Sequence, residues 1–402
     1  MKNIRITDNG KFSITFILSG TYLASFIPFL LPYFTYLGYS TSQSGLFLML
    51  YNLCVIISLP LIGYLNDNHL SIRKSLIGLT LISAIISIVY MQFTPTYTIV
   101  FLYILMLSFF QKPVFGLLET YLTKMSYAFD HIDFGLPRSF SSLGYACTTL
   151  FMGTLIEMYG YNIALYSQII FMLLSCFAIY HLRPYVLPKK EDVVPEITEE
   201  LPKNNFKQAT LDLVRNKNYI LLVVMAAFVN VTFVGISSYI PSYITAVGGD
   251  NTNLGVALFI MAISEIPILV FYKKINRYIS AELLILISIV VNFFKMMIPS
   301  IIHSLPAIYF SQSLQAFSFA LFIPSLYSAL YKSVKPENAS YGMTIAITLY
   351  ASIFGTLSVY LSGVALDHIS IFRLLNIYAV STVIAFIIMV IKLTINKKER
   401  VL

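Results

Sequence analysis

Charge is what this sequence has least of. Asp, Glu, Lys and Arg make up 11% of its 402 residues, against about a quarter in soluble domains. So few charges cannot cover the surface of a water-soluble chain of this length. Tryptophan is absent, and the aromatic bulk is 29 Tyr and 31 Phe, read mainly as lipid-facing or interfacial. Cysteine occurs three times, as Cys54, Cys147 and Cys176. All three fall inside apolar runs without metal-site spacing, so they read as small packing residues, with no metal and no disulfide expected. There is no G-x-x-x-x-G-K-[ST] loop, which argues against ATP dependence, and no cofactor is expected. No polar stretch is long enough for a soluble domain, so any function must be built within the membrane.

What is present is apolar length. The chain is 58% hydrophobic, with a mean hydropathy of +0.80. About 20 apolar residues cross about 30 Å of hydrocarbon as a helix. Barrel strands use about 10 alternating residues, so these runs predict an all-α integral membrane protein with twelve spans. They fall at roughly 12–36, 44–65, 75–93, 97–127, 138–158, 161–182, 218–246, 253–273, 280–300, 304–331, 338–366 and 372–394. The fourth, tenth and eleventh are long, so tilt or extension into water is expected.

The basic residues alternate between connections. Lys2, Arg5 and Lys11, then Arg73 and Lys74, Lys124 and Arg138, residues 183–217, Lys273 to Arg277, Lys332 and Lys335, and Lys397 to Arg400 all fall on one side of a twelve-span chain. The positive-inside rule makes that side, and both termini, cytoplasmic in a cell (inner) membrane. The same pattern explains the net charge of +8 without nucleic acid as a partner. The first span reads as an uncleaved signal anchor. Residues 184–217, with Pro184, Pro188, Pro195 and Pro202, read as a linker between six-helix bundles at 1–183 and 218–402.

Ionisable residues inside spans are expensive and mark candidate sites. Lys112 and Glu119 lie in the fourth span, Arg138 at the mouth of the fifth, Glu265 in the eighth and Lys295 in the ninth. Snorkelling to water suits Arg138 and Lys295 better than a short carboxylate. Glu119 and Arg138 fall at similar depth on consecutive helices, where they could pair and jointly bind a polar ligand. Glu265 and Lys295 could pair likewise. Gln312 and Gln315 share one face of the tenth span and add neutral donors and acceptors, or simply pack helices. Tyr22 and Tyr145 are aromatic candidates for stacking on a ring. His131 and Asp133 in a loop make too weak a pattern for an enzyme site.

Three segments carry a resemblance. "GYLNDNHLSIRK" (Gly63 to Lys74) resembles the loop G-x-x-x-D-x-x-G-x-R-K of the major facilitator superfamily, with Asp67, Arg73 and Lys74 matching and Ser71 in place of the second glycine. "LLETYLTKMSYAFDHIDFGLPRSFSSLGYA" (Leu117 to Ala146) and "SFIPFLLPYFTYLGYSTSQSGLF" are similar to the lactose permease-like branch, the oligosaccharide:proton symporters and phenylpropionate permeases. The resemblance implies the major facilitator fold in two six-helix halves. It implies a solute site near the bilayer midplane, and substrate contacts from Glu119, Arg138 and Tyr145, with Lys295 as a cationic contact. It implies a cytoplasmic gate from Asp67, Arg73 and Lys74. The branch's Lys-x-x-His-x-x-Glu run in the tenth helix reads Gln312, Gln315 and Ser318 here, leaving Glu265 and Glu119 as proton carriers. The expected function is import of a sugar, glycoside or similar small polar solute by proton-coupled symport, with a monomer as the working unit. An aromatic or organic acid permease, with Lys112, Arg138 and Lys295 as cationic anchors, an uncoupled facilitator, a membrane enzyme and a transport-dead sensor are the alternatives.

Overall fold

The structure is a computed structural model that describes residues 7–68, 70–129, 131–183, 206–335 and 339–401. Among these residues it is built from helices alone. Eleven helical segments, some of them joining consecutive helices across a short break, are long and apolar enough to cross a membrane. The fifth expected span forms α7 (Gly135–Tyr159), which at 25 residues is long enough but less apolar. Arg138 and Glu157 at its two ends, and the small residues between, dilute its hydropathy.

The chain divides into two compact units. The first holds residues 1–188 and 244–263. Its elements are α1 (Asp8–Phe26), a 3-10 turn (Ile27–Phe29), α2 (Leu30–Tyr36), α3 (Thr41–Leu53), α4 (Val55–Asn68), α5 (Ile72–Tyr90), α6 (Tyr97–Ala128), α7 and α8 (Asn162–Tyr180). Helix starts coincide with side-chain caps. Ser40 and Gln43 form a capping box on α3, and the Ser71 hydroxyl accepts from Lys74 N at α5. These bonds satisfy donors that lipid cannot.

Small residues set the tightest approach in this unit. An added Cβ at Gly144 would lie 2.6 Å from the Ile17 carbonyl, and one at Gly20 would strike the Ser141 carbonyl. Helices in lipid associate through such close backbone packing, because burying apolar surface gains little there. The same device recurs where residues 244–263 pack in this unit. A Cβ at Gly153 would strike the Asn251 carbonyl, and one at Gly255 the Thr149 carbonyl.

The second unit holds residues 189–243 and 264–402. It contains α9 (Phe206–Arg215), most of α10 (Lys217–Ala246), the second half of α11 (Asn251–Tyr278), α12 (Ala281–Ile301), α13 (Leu305–Ser313) and α14 (Phe319–Ser333). It is completed by α15 (Ala339–Ile347), α16 (Thr356–Leu366) and α17 (Ile371–Val401). Its core gathers Tyr219, Met225, Phe233, Phe322, Leu326 and Tyr350.

Two features go beyond the expected spans and linker. The segment read wholly as linker ends in helix α9, which buries Leu213 in the core of the second unit. Asp212 there pairs with Lys335 at 3.4 Å. The long tenth and eleventh spans are not continuous α-helices. A 3-10 turn (Leu314–Ala316) separates α13 from α14, and a π-helical stretch (Thr348–Gly355) separates α15 from α16. Such breaks expose backbone groups and recur at functional sites. The cysteines differ in setting: Cys176 is buried, Cys54 partly buried and Cys147 exposed, so Cys147 does not pack in the interior.

Candidate functional site

In the first unit the expected pair is closed. Arg138 Nε on α7 donates to Glu119 Oε1 on α6, and the guanidinium lies 4.9 Å above the Phe115 ring. Phe115 precedes Glu119 by one helical turn, so the ring supports the cation that the carboxylate holds. Both charged side chains stay about one-third exposed, 35% for Arg138 and 33% for Glu119. Tyr145, half-buried, is two turns beyond Arg138 on the same face of α7.

Of the gate residues, Arg73 fastens the start of α5 to the end of α8. Its Nη1 donates to the Leu182 carbonyl at 3.0 Å and to the Tyr180 carbonyl at 3.4 Å. A cation at a helix C-terminus meets unsatisfied carbonyls and the negative end of the dipole. Lys74 is exposed, and the Asp67 side chain lies outside the described residues. The loop with His131 and Asp133 is tied to the first turn of α1. His131 Nε2 lies 3.3 Å from Asp8 Oδ2, and the Asp133 amide donates to Asn9 Oδ1 at 2.9 Å.

The second unit carries a buried polar cluster at the broken tenth span. Lys295, 3% exposed, donates through Nζ to Gln315 Oε1. Gln315 Nε2 donates to Glu265 Oε1 at 2.8 Å. The lysine and glutamate are therefore joined through the glutamine, a correction to the direct pairing expected from their neighbouring spans. The 3-10 turn places Gln315 at that junction. Gln312 Nε2 donates to the Tyr243 hydroxyl at 3.1 Å, while its Oε1 is buried without a partner among the described residues. Tyr22, also buried, leaves its hydroxyl unpartnered in the first unit.

Sequence reasoning missed several members. Asn292, one turn before Lys295, donates to Thr232 Oγ1 at 2.7 Å and leaves Oδ1 unpartnered. Asn52 and Tyr51 meet the Lys112 ammonium in the first unit, and Gln111 accepts from the Tyr51 hydroxyl. Amides inside apolar runs were the available signal. Lys392 and Glu282 form a pair between α17 and α12, and nothing in the pattern of those two helices ties them.

Long apolar helices that carry charged pairs and amide clusters within their spans define a multi-pass membrane protein. The chain belongs to the MFS_1 like family, whose model matches residues 11–377. It is 23% identical over 381 residues to the "Uncharacterized transporter YwbF" of Bacillus subtilis (strain 168), covering 92% of this chain and 91% of that one. Its fold is similar to a point-mutant form of the nucleoside transporter NupG, with a TM-score of 0.81 at 16% identity over 96% of this chain and all of that one. A bacterial homolog of the human lysosomal transporter Spinster gives a TM-score of 0.65 at 13% identity, covering 98% of this chain and 96% of that one. The fold is thus that of a major facilitator transporter.

Proposed function

We propose that the protein imports a small hydroxylated solute, a sugar or glycoside, across the cell (inner) membrane by proton-coupled symport. The observation that carries this reading is the Glu119–Arg138 pair. Arg138 uses Nε on the carboxylate, so its Nη donors and the second carboxylate oxygen are left to a ligand. A planar donor fork beside an acceptor suits neighbouring hydroxyls. Tyr145 offers a ring for the apolar C–H face of a sugar. Nucleosides belong to the same chemical class, being N-glycosides, and the likeness to a nucleoside transporter fold is compatible with them.

In the second unit Lys295, Gln312 and Gln315 supply further polar contacts, and Glu265 takes and releases the proton. Asp67, Arg73 and Lys74 hold the cytoplasmic face in one of its states. Both termini and the basic connections are cytoplasmic. Transport runs by alternating access, in which solute binding shifts the population between states that open to either side. The protein works as a monomer. The neutral Gln312, Gln315 and Ser318 favour a second reading, uncoupled facilitation, because none of them can carry a proton at ordinary pH. Whole-cell uptake of labelled sugars, glycosides, nucleosides and aromatic acids tests the solute class. Uptake of a glycosidic solute that Glu119→Gln abolishes supports it. Uptake confined to sugar-free acids overturns it.

A further inference from the structure

Lys112 has no part in the hydroxyl-binding site proposed above. It stands on α6 seven residues before Glu119, on the same helical face and about 10 Å away along the axis. Its ammonium donates to Asn52 Oδ1 at 2.8 Å and sits 4.6 Å from the centre of the Tyr51 ring. No carboxylate pairs with it among the described residues. A cation in this setting is held only by a neutral dipole and an aromatic face.

Its surroundings are rich in donors. The Tyr51 hydroxyl donates to Gln111 Oε1 at 3.2 Å. Gln111 is 1% exposed, and its Nε2 is buried without a partner among the described residues. Tyr51 ties the two groups together, with its ring against the ammonium and its hydroxyl on the glutamine. Lys112 retains N–H donors beyond the one given to Asn52. Buried polar groups are nearly always partnered, so this cluster is short of an acceptor, and an anionic acceptor would balance its charge.

We propose that Lys112, with Asn52, Tyr51 and Gln111, is a subsite for a carboxylate carried by the transported solute. One uncompensated cation balances one negative charge, which favours a carboxylate over a phosphate dianion. The inference rests on the hydroxyl-binding reading of Glu119 and Arg138 and narrows it. The solute is an acidic sugar or glycoside, with its hydroxylated ring at Glu119 and Arg138 and its acid group toward Lys112.

The test uses the purified full-length chain and ligand titration by calorimetry. The probes are matched pairs: hexoses with their hexuronates, and phenyl glycosides with their carboxyphenyl counterparts. Benzoate and phenylpropionate serve as sugar-free acids. Wild type should prefer the acid of each pair, and Lys112→Met should weaken that acid by roughly 10- to 100-fold, the range of one charge-assisted hydrogen bond. Binding of the neutral partner should hardly change. Equal binding of acid and neutral partners in wild type, or a preference that survives Lys112→Met, overturns the subsite and leaves the hydroxyl reading standing. Lysine-dependent binding of the sugar-free acids alone supports the subsite and overturns the sugar reading. Absence of binding by every probe overturns both. Removing an unpaired charge should not lower the melting temperature. If Lys112→Met melts earlier and loses neutral and acidic ligands alike, the lysine is a helix fastener and the subsite is wrong.

Discussion

Arg138→Lys separates a ligand clamp from a structural ion pair. Lysine keeps the positive charge but loses the planar fork, so only a role that uses the fork suffers. The structure sets the expected stability change. Breaking a fully buried pair costs about 3–5 kcal/mol, but these side chains are 35% and 33% exposed, and exposed pairs contribute about 0–1 kcal/mol. The cost of Arg138→Lys should lie near the lower figure, about 1 kcal/mol, because lysine can still pair with Glu119. Two charge-assisted hydrogen bonds to solute hydroxyls, at about 1.5–3 kcal/mol each, predict at least a tenfold loss of affinity. The assay is solute titration on purified protein alongside its melting curve. Affinity within about twofold of wild type would refute the clamp, since the loss of even one such bond exceeds that. A collapse of expression or melting temperature would identify a structural pair instead.

Three further outcomes follow from the structure. Glu265→Gln should still exchange solute across the membrane but fail to accumulate it against a gradient; normal uphill accumulation would leave Glu119 as the proton candidate. Gly144→Ala places a Cβ 2.6 Å from the Ile17 carbonyl, so α1 and α7 must separate; the expected cost is about 1–3 kcal/mol, and an unchanged melting temperature would contradict that packing. In a cysteine-free background, cysteines introduced at 40 and 250 should react with an impermeant reagent in intact cells, while one at 200 should not; the reverse pattern would invert the assigned orientation.

The spans were legible because lipid imposes one requirement along the whole chain, about 20 apolar residues per crossing. The family was legible in short motifs, Gly63 to Lys74 and Leu117 to Ala146. The Glu119–Arg138 contact could be anticipated because one short loop brings consecutive helices to a common depth. Contacts between helices distant in sequence could not. Lys112 bonds Asn52 from 60 positions away, and hydropathy says nothing of which polar residues face each other. The break in the tenth span was hidden for a related reason. It contains no glycine or proline at 313–318, so no local signal marks the 3-10 turn that brings Gln315 between Lys295 and Glu265. The helix at 206–215 was hidden by its polar flanks, since so short a segment looks like linker until Leu213 is seen in the packed core.

Proton drive is the property on which the proposed function turns. It is tested most directly by reconstituting the protein in proteoliposomes with an alkaline interior and following a labelled glycosidic solute. Proton drive predicts accumulation inside above the external concentration, abolished by a protonophore. Equilibration without accumulation, unaffected by the pH gradient, would contradict it.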